Sequence, residues 1–128
     1  MSPSTVAAPS PLPAYVYKIL PEAPPEPLPS EYPLSELDRN DGFVHLSTAM
    51  QVPKTADLFF AEATSLWLLK LPLAGIAGAT RWEGPEGGPF PHLYGNFGAR
   101  EVEDAREFSR AQGETWSAAL ERQGGWLV

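Results

Sequence analysis

The chain has 128 residues, enough for one domain, and 43% of them are hydrophobic, so one core can form without disulfides or metal. It contains no cysteine, which excludes disulfides, thiolate metal sites and cysteine nucleophiles. Sixteen acidic residues against nine basic ones give a net charge of −7, the wrong sign for binding nucleic acid by bulk electrostatics.

The N-terminal region is rich in proline, with ten of the 15 prolines in residues 1–33. Because proline lacks a backbone donor and fixes φ, residues 1–13 are predicted to form a disordered or extended tail, followed by a single domain over residues 14–128. The tail has neither the basic start nor the apolar core of a signal peptide. No stretch approaches the roughly 20 apolar residues of a membrane span. We therefore expect a cytoplasmic protein without a membrane partner.

The first elements can be predicted from local composition. Residues 15–20 (YVYKIL) are β-branched and aromatic, which predicts a strand. Residues 21–33 form a proline-rich loop whose length permits it to act as a lid. Residues 34–40 predict a helical turn with Ser35 as its cap. Residues 43–47 predict a short strand.

The second half mixes helices and strands. Thr48 is placed to cap a helix over residues 49–63, buried through Val52, Ala56, Phe59, Phe60 and Ala63. The rest of the chain predicts a strand over 65–71, a turn over 73–78, a strand over 79–83, a loop over 84–91, a short strand starting at Leu93, a strand or helix over 102–108, and a helix over 115–123. Without regular βαβ alternation, this order indicates an α+β fold with a small, mostly antiparallel sheet and flanking helices.

Three short segments each carry a polar pair at alternate positions. Side chains alternate between the two faces of a strand, so Val44 and Leu46 would face the core and their neighbours would face away from it. If the segments are neighbours in a sheet, six polar side chains converge on one surface: His45, Ser47, Arg81, Glu83, His92 and Tyr94.

These residue types suit proton-transfer chemistry near neutral pH. The candidate catalytic residues are His45, Glu83 and His92. The candidate substrate-binding residues are Ser47, Thr48, Arg81 and Tyr94, with Arg81 suited to hold a phosphate or carboxylate.

Structural interpretations of the same residues stay open. His45 would also fit a core histidine bonded to a carbonyl, and Thr48 a simple helix cap. Asp38 and Asp41 are typical of a turn. Arg81 and Glu83 would also fit an exposed ion pair.

A metal site built from His45, Glu83 and His92 is allowed by residue type. The three residues lack the close local spacing of common metal motifs, so we assign no metal.

Longer segments resemble the signature blocks of the bacterial and fungal family of unknown function labelled DUF 952. They are DGFVHLSTAMQVPKTADLFF over residues 41–60, TRWE over 80–83 and FPHLYG over 90–95. With YVYKIL as the opening strand, the resemblance covers roughly residues 15–105.

That family is grouped by fold with ADP-ribosyltransferase-like proteins, which hold NAD in a cleft between two small sheets. The resemblance therefore implies that fold, with NAD as the ligand, His45 beside Ser47 as the ribose contact and Tyr94 stacked on nicotinamide. In the toxin-like branch of the ADP-ribosyltransferase-like proteins a glutamate follows the tyrosine, whereas here Glu83 precedes Tyr94.

Three functions remain open at this stage, all with a small-molecule partner. The first is an enzyme that cleaves or transfers a ribosyl or phosphorylated nucleotide group, as the resemblance implies. The second is a cofactor-independent acid–base enzyme, either an isomerase, lyase, cyclase or hydrolase. The third is a ligand-binding module without turnover. The residue pattern favours an enzyme, requires no cofactor by itself, and leaves the oligomeric state undetermined.

Overall fold

The computed structural model describes residues 6–85 and 87–128. Its strands, in chain order, are β1 (Tyr15–Leu20), β2 (Val44–His45), β3 (Ser65–Pro72), β4 (Thr80–Glu83), β5 (Phe90–Leu93) and β6 (Asp104–Ser109). The α-helices are α1 (Glu36–Asp41), α2 (Val52–Phe59) and α3 (Trp116–Arg122), with 3-10 helices at Leu73–Gly75 and Ala77–Ala79. In the part of the chain covered, no helix has the length and apolar character needed to cross a membrane.

The strands form two separate three-stranded antiparallel sheets. The first, which we call the main sheet, has the order β1-β3-β6, and the second, the site sheet, has the order β2-β5-β4. A backbone bridge joins them, because the amide of Tyr17 donates to the Ser47 carbonyl over 2.8 Å and the Ser47 amide donates back over 2.9 Å. The predicted α+β architecture with small antiparallel sheets is confirmed.

The core lies on both faces of the main sheet. One apolar cluster packs between the sheets and includes Leu69, Leu71, Val44, Trp82 and Leu93. The other packs under α2 and α3 and is built from Tyr17, Leu66, Leu68, Phe108, Val52, Ala56, Trp116, Ala119 and Leu120. This arrangement explains why β3 is apolar at nearly every position, since a central strand is covered on both sides.

The short helix α1 ends where the site sheet begins. Ser35 caps it by accepting a hydrogen bond from the Asp38 amide over 3.1 Å, as predicted. Gly42 closes it with a φ of 83°, a left-handed conformation that glycine adopts without a Cβ penalty. The chain therefore turns sharply from α1 into β2.

The predicted helix over residues 49–63 is too long. The observed α2 spans Val52–Phe59, and Phe59 is 76% exposed rather than buried. Val52 and Ala56 are buried, and Phe60 packs beside them. Successive residues of a helix are about 100° apart, so Phe59 lies to one side of this buried face. The buried side of α2 therefore contains fewer residues than the spacing of apolar residues predicted.

The strand predicted to start at Leu93 is also wrong in its bounds, because β5 spans Phe90–Leu93 and ends before Tyr94. Pro91 made this stretch look like a loop, since proline is rare in a central strand. Here the Leu46 amide donates to the Pro91 carbonyl over 3.1 Å, but Pro91 has no amide hydrogen to return. The ladder between β2 and β5 stops there, which keeps β2 short.

The proline-rich loop docks beside residues 97–99. The Tyr32 amide donates to the Phe97 carbonyl over 2.7 Å, and the Ala99 amide donates to the Pro29 carbonyl over 2.9 Å. The rings of Tyr32 and Phe97 stack with centroids 5.2 Å apart. Of the predicted N-terminal tail, residues 1–5 lie outside the described residues, and residues 6–13 contain no helix or strand.

We expect Gly98→Ala to destabilise the protein, because a Cβ at Gly98 would overlap the Ser30 carbonyl and come 2.8 Å from the Pro29 oxygen. Overpacking of this kind costs about 1–3 kcal/mol. Gly78→Ala is the matched control, since open space surrounds Gly78. Urea unfolding of both variants measures the effect, and equal stabilities would show that the loop does not depend on this close approach.

Candidate active site

The outer face of the site sheet carries the polar side chains. His45 on β2 lies directly opposite His92 on β5, and His92 lies directly opposite Arg81 on β4. The intervening residues Val44 and Leu93 point into the core. The alternation predicted from the sequence is therefore confirmed, and three strands present one polar face.

His45 is held between two carboxylates. Its Nδ1 lies 2.6 Å from Asp38 Oδ1, and its Nε2 lies 2.9 Å from Asp41 Oδ2. The His45 amide also donates to Asp38 Oδ1 over 3.2 Å. Carboxylates only accept hydrogen bonds, so both contacts are satisfied together when both ring nitrogens carry a hydrogen.

Asp38 is buried and receives a third donor from the main sheet. Lys18 Nζ on β1 lies 2.7 Å from Asp38 Oδ2 and also donates to the His45 carbonyl over 3.3 Å. Burial alone would raise the pKa of Asp38, but the hydrogen bonds from His45 and the charge of Lys18 outweigh burial and lower it. Asp38 is therefore a buried anion that orients the His45 ring.

A second carboxylate–histidine pair lies beside the first. His92 Nδ1 is 2.8 Å from Glu83 Oε1, and Glu83 is only 2% exposed. The Tyr94 hydroxyl donates to the same carboxylate, at 2.8 Å from Oε1 and 2.9 Å from Oε2. Because the carboxylate accepts, the Nδ1 of His92 carries a hydrogen and its Nε2 holds the free lone pair when the ring is neutral.

The pKa shifts separate the roles of these groups. Burial lowers the pKa of His92 below its ordinary 6.5, and the hydrogen bond to Glu83 offsets this only in part. Burial and the hydrogen bond to Glu83 both raise the pKa of Tyr94, so its hydroxyl stays protonated and donates. At neutral pH His92 is a neutral base with its Nε2 available.

Aromatic and cationic groups complete the face. Phe43 stacks on His92 with ring centroids 4.1 Å apart, and the centroids of His45 and His92 are 5.4 Å apart. The guanidinium carbon of Arg81 lies 4.4 Å from the centre of the Tyr94 ring. The side chain of His45 is 30% exposed and that of His92 is 12% exposed, so His45 is the more accessible of the two rings.

The structure brings together five of the seven predicted site residues: His45, Arg81, Glu83, His92 and Tyr94. Ser47 is instead buried at the backbone bridge to Tyr17. Thr48 exchanges hydrogen bonds with Gln51 at the start of α2, over 3.0 and 3.3 Å. The N-cap of α2 is Gln51, so the predicted cap at Thr48 is wrong, and Thr48 holds the segment three residues before that cap.

Four residues of the site were missed as site residues: Lys18, Asp38, Asp41 and Phe43. The sequence indicated a turn for the two aspartates, but both lie within α1. A signal existed in β1, where Lys18 interrupts an otherwise apolar strand. A lysine in such a position indicates a partner for its charge, since charged groups are rarely buried unpaired.

Metal binding finds no support in residues 6–85 and 87–128, where no three His, Asp or Glu side chains are grouped to hold an ion. Arg81 and Glu83 do not form the exposed ion pair considered above. Glu83 is engaged by His92 and Tyr94, while Arg81 lies on the Tyr94 ring.

Comparison with known proteins identifies the family. The profile of a family described as "Protein of unknown function (DUF952)" matches residues 27–105. The chain belongs to this family. The crystal structure of protein CC0527 from Caulobacter crescentus is similar, with a TM-score of 0.66 and 27% identity, covering 79% of this chain and 91% of that one. A solution NMR structure of CC0527 gives a TM-score of 0.68 at 27% identity, covering 88% and 97%. No curated protein matches.

We expect Asp38→Asn to destabilise the fold by about 3 kcal/mol, because it leaves the ammonium of Lys18 without its carboxylate. Adding Lys18→Met to this variant should recover part of the loss. The control is Asp41→Asn, which removes a carboxylate from the same histidine at a 41% exposed position and should cost less than about 1 kcal/mol. Urea unfolding compares them, and equal losses would contradict the assigned role of Asp38.

The lowered pKa of His92 predicts a dependence of stability on pH. Because the unfolded chain binds this proton more readily, the free energy of unfolding falls as the pH drops below the ordinary value of 6.5 towards the lowered pKa. Asp38 acts in the same direction only below about pH 3.8. His92→Gln should make the free energy of unfolding less dependent on pH just below 6.5, and an unchanged slope in this range would contradict the assignment.

Proposed function

We propose that this protein is a cofactor-independent acid–base enzyme that moves a proton on a small metabolite. The observation that carries the proposal is the pair of carboxylate–histidine units on one sheet face, with imidazole centroids 5.4 Å apart. Two titratable groups in different environments are typical of an acid and a base that act on one substrate.

His92 is the proposed base. Its Nδ1 hydrogen is fixed on Glu83, so the lone pair on Nε2 points away from the carboxylate that orients the ring. When Nε2 takes a proton, the buried charge of Glu83 stabilises the imidazolium that forms. Burial keeps the resting ring neutral at physiological pH, which is the state that a base requires.

His45 is the proposed acid partner. Asp38 holds its Nδ1 and backbone amide, which fixes the ring, while its Nε2 faces the exposed carboxylate of Asp41. A substrate oxygen that displaces Asp41 would meet an N–H donor at that nitrogen. A proton taken by His92 and one supplied by His45 would leave the enzyme with no net change after the two rings re-equilibrate with solvent.

An NAD-dependent ribosyl transfer, on an ADP-ribosyltransferase-like fold, is the second candidate. Two features favour it: the division into two small antiparallel sheets, and the position of His45 on a short strand beside Phe43, whose ring also lies against Tyr94. In this case His45 would contact a ribose and Tyr94 a nicotinamide ring. Arg81 now covers the Tyr94 ring and would have to move aside.

The test is a panel of carbonyl compounds, carboxylates and nucleotides, including NAD and ADP-ribose, followed by proton NMR in heavy water. We expect one class of compound to be converted or deuterated, with a rate at least about 100-fold lower in His92→Gln. The rate should fall as the pH drops through the pKa of His92, which lies below the ordinary 6.5, because protonation removes the base. Glu107→Gln, an exposed change on β6 of the main sheet, is the control.

Wild-type rates in both His92→Gln and His45→Gln, or no change in any compound, would refute acid–base catalysis at this site. Release of nicotinamide from NAD that is lost in His45→Gln would select the second candidate. Thermal unfolding with the same panel separates binding from turnover. A ligand at 100 times its Kd stabilises the fold by about 2.7 kcal/mol.

A further inference from the structure

We propose that Arg81 binds a carboxylate, and that the substrates of this site are short carboxylates with a carbonyl group beside the carboxylate. The inference rests on the proposed acid–base function and adds the class of substrate to it. It comes from the way in which Tyr94 connects Arg81 to the base His92.

The Arg81 guanidinium lies over the Tyr94 ring. Its central carbon lies 4.4 Å from the Tyr94 ring centre, and the side chain is exposed. A contact of this kind with an aromatic ring uses no N–H group as a hydrogen-bond donor, so the guanidinium can still donate to a planar acceptor. Two parallel N–H donors match the two oxygens of a carboxylate, a geometry that lysine cannot supply.

Arg81 is the cation of this face that remains available to an anion. Lys18 is already paired with buried Asp38, and His45 lies between two carboxylates. Among residues 6–85 and 87–128, no carboxylate forms a salt bridge with Arg81. In a chain of net charge −7, a cation presented on an exposed polar face is suited to a specific anion rather than to bulk attraction.

The spacing between Arg81 and His92 sets the size of the substrate. Arg81 and His92 lie directly opposite each other on β4 and β5, and side chains paired in this way have Cβ atoms about 5 Å apart. A carboxylate hydrogen-bonded to Arg81 spans roughly 3 Å of that distance. The atom that reaches His92 is then one or two bonds beyond the carboxylate carbon, which fits a molecule of a few carbons.

The chemistry at that atom is removal of a proton next to a carbonyl group. The C–H bond breaks and the proton forms an N–H bond with His92 Nε2. The electron pair of the C–H bond becomes the enolate, whose negative charge is stabilised by the nearby guanidinium. The same nitrogen returns the proton to carbon or to oxygen, so keto and enol forms interconvert without another reactant.

Tyr94 is a positioning residue with two separable contacts. Its ring supports Arg81, and its hydroxyl donates to Glu83, the carboxylate that orients His92. Tyr94→Phe removes only the hydroxyl, whereas Tyr94→Leu also removes the ring. The first should leave carboxylate binding close to wild type and raise the pKa of His92, since Glu83 then interacts more strongly with the imidazole. The second should weaken carboxylate binding.

The experiment uses the full chain labelled with ¹⁵N at its two histidines, which gives signals from His45 and His92 alone. Pyruvate is the probe, with methyl pyruvate as its neutral analogue and inorganic phosphate as the other anion. Exchange of the pyruvate methyl hydrogens in heavy water reports the chemistry. Arg106→Gln on β6 of the main sheet is the control, because it removes the same charge as Arg81→Gln but lies away from the site sheet.

We expect pyruvate to shift the His92 signals in a saturable way, with a Kd at least about tenfold weaker in Arg81→Gln and unchanged in Arg106→Gln. Equal binding of pyruvate by Arg81→Gln, tighter binding of methyl pyruvate, or a response to phosphate alone would overturn the inference. His92-dependent exchange in neutral compounds, unaffected by Arg81→Gln, would overturn it while preserving the acid–base function. Arg81-dependent binding without exchange in any compound would preserve carboxylate recognition and remove the catalytic role.

Discussion

The carboxylate of Asp38 is the contact on which the site depends most. It comes from α1, it accepts a hydrogen bond from Lys18 on the main sheet, and it accepts the amide and the ring Nδ1 of His45 on the site sheet. A buried carboxylate is costly to desolvate unless charged and polar donors surround it. Because its donors come from two sheets, satisfying this one charge also sets the position of β2 relative to β1.

The two histidine pairs use the same chemistry in different surroundings. In each pair a buried carboxylate holds Nδ1, yet His45 has a second carboxylate at Nε2 and His92 stacks against Phe43. Burial lowers the pKa of His92, while carboxylates contact both ring nitrogens of His45. In the proposed reaction, these different environments give two similar side chains different roles.

The irregularities of the site sheet place these groups at an accessible face. Pro91 ends the ladder with β2 because it lacks an amide hydrogen, and β5 stops at Leu93. Tyr94 then leaves the strand while its amide still donates to the Ala79 carbonyl over 2.8 Å. Its ring can therefore support Arg81 from beyond the end of the strand. The similarity to CC0527 at 27% identity indicates that this small scaffold tolerates extensive change in sequence.

The sequence by itself determined the local features of this protein. Alternation along short strands placed His45, Arg81 and His92 on one face because side-chain direction depends only on position within a strand. The cap at Ser35 and the first strand were equally readable. Tertiary structure decided which carboxylate meets which histidine, that Phe59 faces solvent, and that Ser47 and Thr48 serve the backbone. Those outcomes depend on contacts between residues far apart in the chain, for which a local pattern carries no information.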